Sequence, residues 1–335
     1  MAGAEEGNVD TAGTRAGMIR SAAVVGAGTM GAAIAGLLAR SGAAVALVDR
    51  DDALLERGLA SLRSSQGTLE EAGVVTAEQA RAAESRVRPV TELRDACAGI
   101  DLLVETITED LELKRQLFAS ADRLCPPSTI IASNTSGLSI TRLAEATGRP
   151  HAVAGMHFYN PAHIMPLVEV VRGRLTSDAT TDFLLALARR LGKRPILVRR
   201  DVPGFVGNRL QFALVREALH LLESGVASAE DIDTAITAGP GLRYAQVGPF
   251  ATADLAGLDV FDAISRYLFG DLARDTEGSP VLRRLVAEGR TGVKAGRGFY
   301  EYPAGEAPRL VARRDRLLLA FLDALSNERT GGTDG

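Results

Sequence analysis

Ala22-Ala23-Val24-Val25-Gly26-Ala27-Gly28-Thr29-Met30-Gly31 sets a short apolar run against a glycine-spaced turn. Ala22–Val25 reads as a buried strand, and Met30–Ala39 carries apolar residues at helical spacing, so the glycines fall where a strand gives way to a helix. Gly26 suits a tight turn, Gly28 lets backbone amides approach an anion, and Gly31 lets the helix pack closely on its strand. The helix N-terminus then offers free N–H groups and a favourable dipole to a pyrophosphate. A second apolar run, Ala44–Val48, ends in Asp49-Arg50, with Asp49 23 residues past Gly26. That lies near the ~20-residue spacing of a carboxylate accepting from a ribose 2′-hydroxyl. Gly26, Gly28, Thr29, Met30, Gly31, Asp49 and Arg50 are therefore the expected dinucleotide-binding residues. An acid at Asp49 repels a 2′-phosphate, so NAD is expected over NADP; Arg50 is the feature that pulls the other way.

Outward from this turn the pattern repeats. Asp101–Thr106, Thr129–Ala132 and Ala152–Met156 read as further buried strands, separated by helical stretches at Ala53–Glu71, Leu111–Leu124 and Ser139–Ala146. Such alternation implies parallel strands joined by crossover helices, a Rossmann-type doubly wound parallel sheet of the α/β class. Val168–Val171 and Pro195–Val198 read as two more strands around a helix at Asp178–Leu191. After Arg199 the texture changes: Pro203 and Gly204 punctuate the chain, and Asn208–Glu223, Ala229–Ala238, Ala251–Phe269 and Val281–Glu288 are helical patterns. We expect an NAD-binding domain over 19–200 and an all-helical C-terminal domain over 201–325. Residues 1–18 and 326–335 are small, polar and glycine-rich, and are expected to be disordered tails.

Composition narrows the class. At 335 residues the chain exceeds what one core usually organises. The net charge of −4 gives no basic surface for nucleic acid. There is no apolar run long enough for a membrane span and no apolar signal core at the start, so a cytoplasmic enzyme is expected. Two cysteines, Cys97 and Cys125, make no disulfide framework and no metal-ligand spacing; they read as small buried or capping residues. Only three of the 38 basic residues are lysines (Lys114, Lys193, Lys294), which singles out each as a place where an ammonium does what a guanidinium does not.

Of four histidines (His151, His157, His163, His220), His157 stands at the end of the last strand of the alternating region. Reactive groups collect at the carboxyl edge of such sheets. Twelve residues on, Glu169 interrupts the apolar run Leu167-Val168-Glu169-Val170-Val171. A carboxylate in a buried strand is costly unless paired. The economical reading is that Glu169 accepts from one nitrogen of His157 and leaves the other to act on a substrate; the plain alternative is an edge-strand acid facing solvent.

These residues carry a resemblance. The chain resembles the L-3-hydroxyacyl-CoA dehydrogenases over about residues 20–303. The shared pieces are the glycine turn with Asp49, Glu105-Thr106-Ile107-Thr108-Glu109-Asp110-Leu111 with Lys114, Ser133-Asn134-Thr135-Ser136, His157-Phe158-Tyr159-Asn160-Pro161, Pro203-Gly204-Phe205 with Asn208-Arg209, and Gly292-Val293-Lys294 running into Gly298-Phe299-Tyr300. The resemblance implies that His157 is the general base for a substrate 3-hydroxyl, with Glu169 orienting it. It implies that Ser136 and Asn208 bond the reacting oxygen or the thioester. It also implies that Glu109, Lys114, Asn134 and Asn160 lie by the nicotinamide half of the cofactor, that Lys294 reaches in from the second domain, and that the chain forms a homodimer.

The substrate is left open between readings. A 3-hydroxyacyl thioester, on CoA or on an acyl carrier protein, fits Ser133–Ser136 and the aromatic pair Phe158-Tyr159. The long segment Gly239–Phe250 is similar instead to the L-gulonate 3-dehydrogenase and lambda-crystallin branch, with Arg243 a candidate anchor for a free carboxylate. The helical stretch Ala53–Glu71, where the family often carries lysines, offers only Arg57 and Arg63. A non-catalytic NAD-binding protein is the reading from another class.

Overall fold

The computed structural model describes residues 17–330, with side chains described to Leu325. Most of the expected tails lie outside those residues. An eight-stranded sheet has the order β3-β2-β1-β4-β5-β6-β7-β8, built from β1 (Ser21–Val25), β2 (Ala44–Val48), β3 (Val87–Val90), β4 (Leu102–Glu105), β5 (Ile130–Ser133), β6 (Val153–Phe158), β7 (Leu167–Val171) and β8 (Arg194–Val198). Between them run α1 (Thr29–Arg40), α2 (Asp52–Glu71), α3 (Ala77–Ser85), α4 (Leu93–Ala96), α5 (Leu111–Leu124), α6 (Ile140–Ala144) and α7 (Asp178–Arg190).

Alternate strand residues enter different cores. Ala22, Val24, Val45 and Leu47 pack with α1, α2 and α7, whereas Ala23, Val25, Ala46 and Val48 pack with α4, α5 and α6. Covering both faces is why the central strands read as unbroken apolar runs.

Two features depart from the expected sheet. The edge strand β3 and its helix α3 are additional, because Val87-Arg88-Pro89-Val90 has no apolar run and contains a proline that only an edge strand tolerates. And β7 runs antiparallel to β6, while the other six pairings are parallel. The link from Phe158 to Leu167 is too short for the dozen or so residues of a crossover, so the chain turns back.

Residues to Asn208, together with those from Ala312, form one compact unit, and Arg209–Val311 form a second. The helices after the sheet are α8 (Gly207–Glu223), α9 (Ala229–Ala238), α10 (Pro240–Tyr244), α11 (Pro249–Ala256), α12 (Leu258–Leu268), α13 (Pro280–Ala287) and α14 (Glu306–Thr330). The single helix expected over Ala251–Phe269 is two, broken at Gly257 with φ +100°. The expectation of a loose tail from residue 326 is corrected at its start, since α14 continues to Thr330. Residues from Ala312 group with the first unit and not with the helical region placed at 201–325. The cause is local: Leu319 of α14 packs with Leu69 and Ile164.

No helix among the described residues is long and apolar enough to cross a membrane. The thiols of Cys97 and Cys125, which cap the C-terminal ends of α4 and α5, are buried 3.0 Å apart.

Candidate active site

The glycine turn closes at the carboxyl edge of β1. Gly26 has φ +109° and its amide donates to Val48 O at 2.7 Å, holding the turn against β2. Gly31 lies against it: a Cβ there would sit 1.8 Å from Gly26 O and 2.6 Å from Thr106 Oγ1. Gly28 is the N-cap of α1 with no side-chain cap, and a Cβ on it would meet nothing within 4 Å. The first-turn amides at Thr29 and Met30 thus face open space on an unguarded helix end. That is the cradle a pyrophosphate requires. Asp49 accepts from Ala27 N at 2.7 Å and Arg50 N at 2.8 Å, so the carboxylate is fixed beside the turn. The Arg50 side chain is 84 % exposed, 3.6 Å from Asp51. These residues fit a dinucleotide with a free ribose 2′-hydroxyl. Gly31→Ala is expected to weaken NADH binding at least about tenfold by prising helix from strand. A fluorescence titration giving an unchanged Kd would show that the turn tolerates a methyl group.

Beside the turn lies a polar cluster. Glu105 ends β4 and is fully buried; Lys114 of α5 pairs with it at 2.6 Å and is itself 1 % exposed. The Glu105 carboxylate accepts from Ser133 Oγ at 2.5 Å and from Ile107 N at 2.7 Å. Burial pushes the Glu105 pKa up, and the Lys114 charge and these hydrogen bonds only partly offset it. Glu109, half exposed, lies 3.3 Å from Lys114 and accepts from Thr135 Oγ1 at 2.5 Å and Ser136 N at 3.1 Å. Asn134 Oδ1 accepts from Phe158 N at 2.8 Å, tying β5 to the end of β6.

His157 and Glu169 are direct cross-strand partners in the β6–β7 ladder. Opposed side chains in an antiparallel pair point to one face within reach of each other, and here His157 Nδ1 lies 2.8 Å from Glu169 Oε2. The other carboxylate oxygen accepts from Val206 N and Gly207 N, both at 3.0 Å, at the start of α8. Tyr159 OH donates to Glu169 at 3.4 Å. Rings of Tyr159 and Phe205 pack on the imidazole at 4.9 and 5.7 Å. Phe205 is buried and holds φ +52°, a conformation that costs a non-glycine residue of order 1–3 kcal/mol. His157 Nε2 has no hydrogen-bond partner among the described residues.

Burial alone would raise the Glu169 pKa. Hydrogen bonds from His157, Gly207 and Val206, with the His157 charge, outweigh it and hold the carboxyl below its ordinary 4.5. The resulting stabilisation is complete above the unfolded value and is lost as pH falls through the lower folded one. The urea midpoint of the protein should therefore exceed that of Glu169→Gln by a margin that is steady from neutral pH to about 5 and shrinks below it. A margin unchanged into strong acid would mean the carboxylate is not specially stabilised.

Ser136 and Asn208 come together, with Asn208 Nδ2 donating to Ser136 O at 2.9 Å. Asn160 is exposed just past β6. Lys294 is exposed on the second unit, in the turn Val293–Ala295. Glu105, Thr135 and Phe205 stand in the shared motifs without a role read from the sequence, and Tyr159 only as part of an aromatic pair suited to a thioester. Glu105 carries the same signal that exposed Glu169, an acid closing an apolar strand.

A glycine turn at a helix end, an acid fixed beside it and a buried imidazole–carboxylate pair on one doubly wound sheet are the arrangement expected of an NAD-dependent oxidoreductase. The chain belongs to the 3-hydroxyacyl-CoA dehydrogenase family: the family's NAD-binding domain matches residues 21–202 and its C-terminal domain residues 204–302. It is 41 % identical over 280 residues to a probable 3-hydroxybutyryl-CoA dehydrogenase of Deinococcus radiodurans, covering 83 % of this chain and 99 % of that one. Among solved structures it is similar to (S)-3-hydroxybutyryl-CoA dehydrogenase of Ralstonia eutropha, at 39 % identity and a TM-score of 0.70, over 85 % of this chain and 100 % of that one. It is also similar to 5-formyl-3-hydroxy-2-methylpyridine 4-carboxylic acid 5-dehydrogenase, described as an NAD+-dependent dismutase. There the identity is 36 % and the TM-score 0.86, over 92 % of this chain and 99 % of that one.

Proposed function

We propose that this chain interconverts the 3-hydroxyl and 3-keto groups of a 3-hydroxyacyl thioester, with His157 as general acid–base. The observation that carries the reading is the imidazole held through Nδ1 by Glu169, with Nε2 left for a substrate. NAD, when bound, would supply the acceptor for the hydride that leaves the substrate's C3. Nε2 takes the proton from the 3-hydroxyl, and Glu169 stabilises the imidazolium that forms. In the reverse direction the imidazolium returns that proton to the developing alkoxide. Ser136 and Asn208 supply donors to the reacting oxygen or the thioester carbonyl. Gly26, Gly28, Thr29, Met30 and Gly31 would hold the pyrophosphate, Asp49 the ribose, and Glu109, with Lys114 behind it, the nicotinamide half. Asn134 and Asn160 would border that half.

A substrate without a thioester is favoured by one observation: the higher TM-score, 0.86 against 0.70, is with the enzyme named for a pyridine carboxylic acid. NADH consumption with acetoacetyl-CoA, an acyl-carrier-protein thioester, a free 3-keto acid and an aromatic aldehyde, ranked by kcat/KM, tests both. Turnover is expected with the thioesters. Turnover with the free acid or the aldehyde alone would replace this reading with a free-substrate dehydrogenase. NADH binding without any turnover would favour a binding protein.

The second unit supports self-association into a homodimer: Phe250, Leu255 and Phe269 are 87, 80 and 69 % exposed, more apolar surface than single scattered residues account for. Sedimentation should give twice the chain mass; a monomer mass independent of concentration would refute the dimer. The two buried free thiols fit a reducing compartment, the cytoplasm.

A further inference from the structure

Within the first unit a cavity of about 1150 Å³ opens between the C-terminal ends of α1, α2 and α7, the turn His163–Pro166, and α14. Arg40, Lys193, Arg190, Arg194, Arg316 and His163 line it, against the carboxylates of Glu71 and Asp323. It contains no residue of the glycine turn, and neither Asp49, His157 nor Glu169.

Two of its polar groups are poorly compensated. The Lys193 ammonium is 8 % exposed and donates to Ala162 O at 2.6 Å and Met165 O at 2.9 Å. No carboxylate pairs with it among the described residues, and the charge that acts on it is that of Arg40. Both ring nitrogens of His163 are buried without a partner. A buried cation with only carbonyls for company is costly, and the strain registers on both groups. Burial, with the Arg40 charge adding to it, brings the Lys193 pKa down to about 7. Burial likewise pushes His163 down to about 4, with Lys193, Arg40 and Arg314 adding and Asp315 opposing. A negative charge in the cavity reverses each effect.

We propose that this cavity is a binding site for a small, multiply charged oxyanion of the phosphate class, separate from the cofactor and the reacting centre. Lys193, Arg40 and Arg316 supply charge from different elements, and His163 offers a ring N–H. Lys193 also holds two carbonyls of the turn that joins the His157 strand to the Glu169 strand, so an anion on it steadies that turn.

Calorimetric titration of the NADH-saturated protein with inorganic pyrophosphate, at ionic strength fixed by NaCl, tests the site; saturating NADH keeps the glycine turn occupied. We expect one saturable site per chain and a Tm increase above that in NaCl alone. Arg316→Glu, an exposed position, should weaken binding at least about tenfold with KM for NADH and for substrate within about twofold of normal. Arg40→Gln should weaken it as well. No saturable heat, or binding unchanged in both variants, overturns the proposal. So does displacement of pyrophosphate by the acyl thioester, which would make the cavity part of the substrate path.

Discussion

His157→Gln is expected to lower kcat by at least about a hundredfold, the usual lower scale of a general acid–base group, while leaving NADH binding within about twofold. Glutamine still offers an amide N–H to Glu169, so the β6–β7 ladder and the carboxylate's remaining bonds to Val206 N and Gly207 N persist. What is lost is a group able to take a proton near neutral pH. The check is steady-state NADH oxidation alongside circular dichroism and an NADH titration. A near-normal rate in a folded variant would remove His157 from the chemistry. A lost rate accompanied by lost NADH binding would mean that the substitution disturbed the cofactor site.

The largest expected effect on stability lies elsewhere, at Glu105. Replacing it by leucine leaves the Lys114 ammonium, 1 % exposed, without the carboxylate 2.6 Å away. It also strands donors on Ser133 and Ile107. Removing one partner of a buried ion pair typically costs about 3–5 kcal/mol. The loss should appear as a lower urea midpoint for the transition of the first unit. Glu105→Leu combined with Lys114→Met should recover much of it, because replacing both charges by apolar groups of similar size is often close to neutral. A double variant no more stable than the single would show that the hydrogen bonds, not the charges, dominate. NADH affinity in the double variant separates this structural pairing from any direct contact of Lys114 with the cofactor.

Glu105 also shows what local reading passes over. The rule that identified Glu169, an acid where an apolar strand should continue, applies equally to Leu102-Leu103-Val104-Glu105. There the partner, Lys114, arrives from a helix nine residues on, and a lysine on an amphipathic helix looks like a solvated one. Lys193 is similar: its scarcity marked it in the sequence, but the carbonyls it binds, Ala162 and Met165, lie 31 and 28 residues earlier.

The sequence by itself determined the doubly wound sheet, the glycine turn, Asp49 beside it and His157 with Glu169 as a candidate pair. Each rests on a short-range pattern: an unbroken apolar run, a helical period, a glycine spacing, or an acid that interrupts an apolar strand. Only the tertiary structure decided that β7 turns back on β6, and this reversal sets His157 opposite Glu169 in one ladder. It also decided that residues from Ala312 return to the first unit, and that Lys114 and Lys193 are buried and not exposed. These depend on contacts between residues far apart in the chain, whose energies no local window of sequence contains.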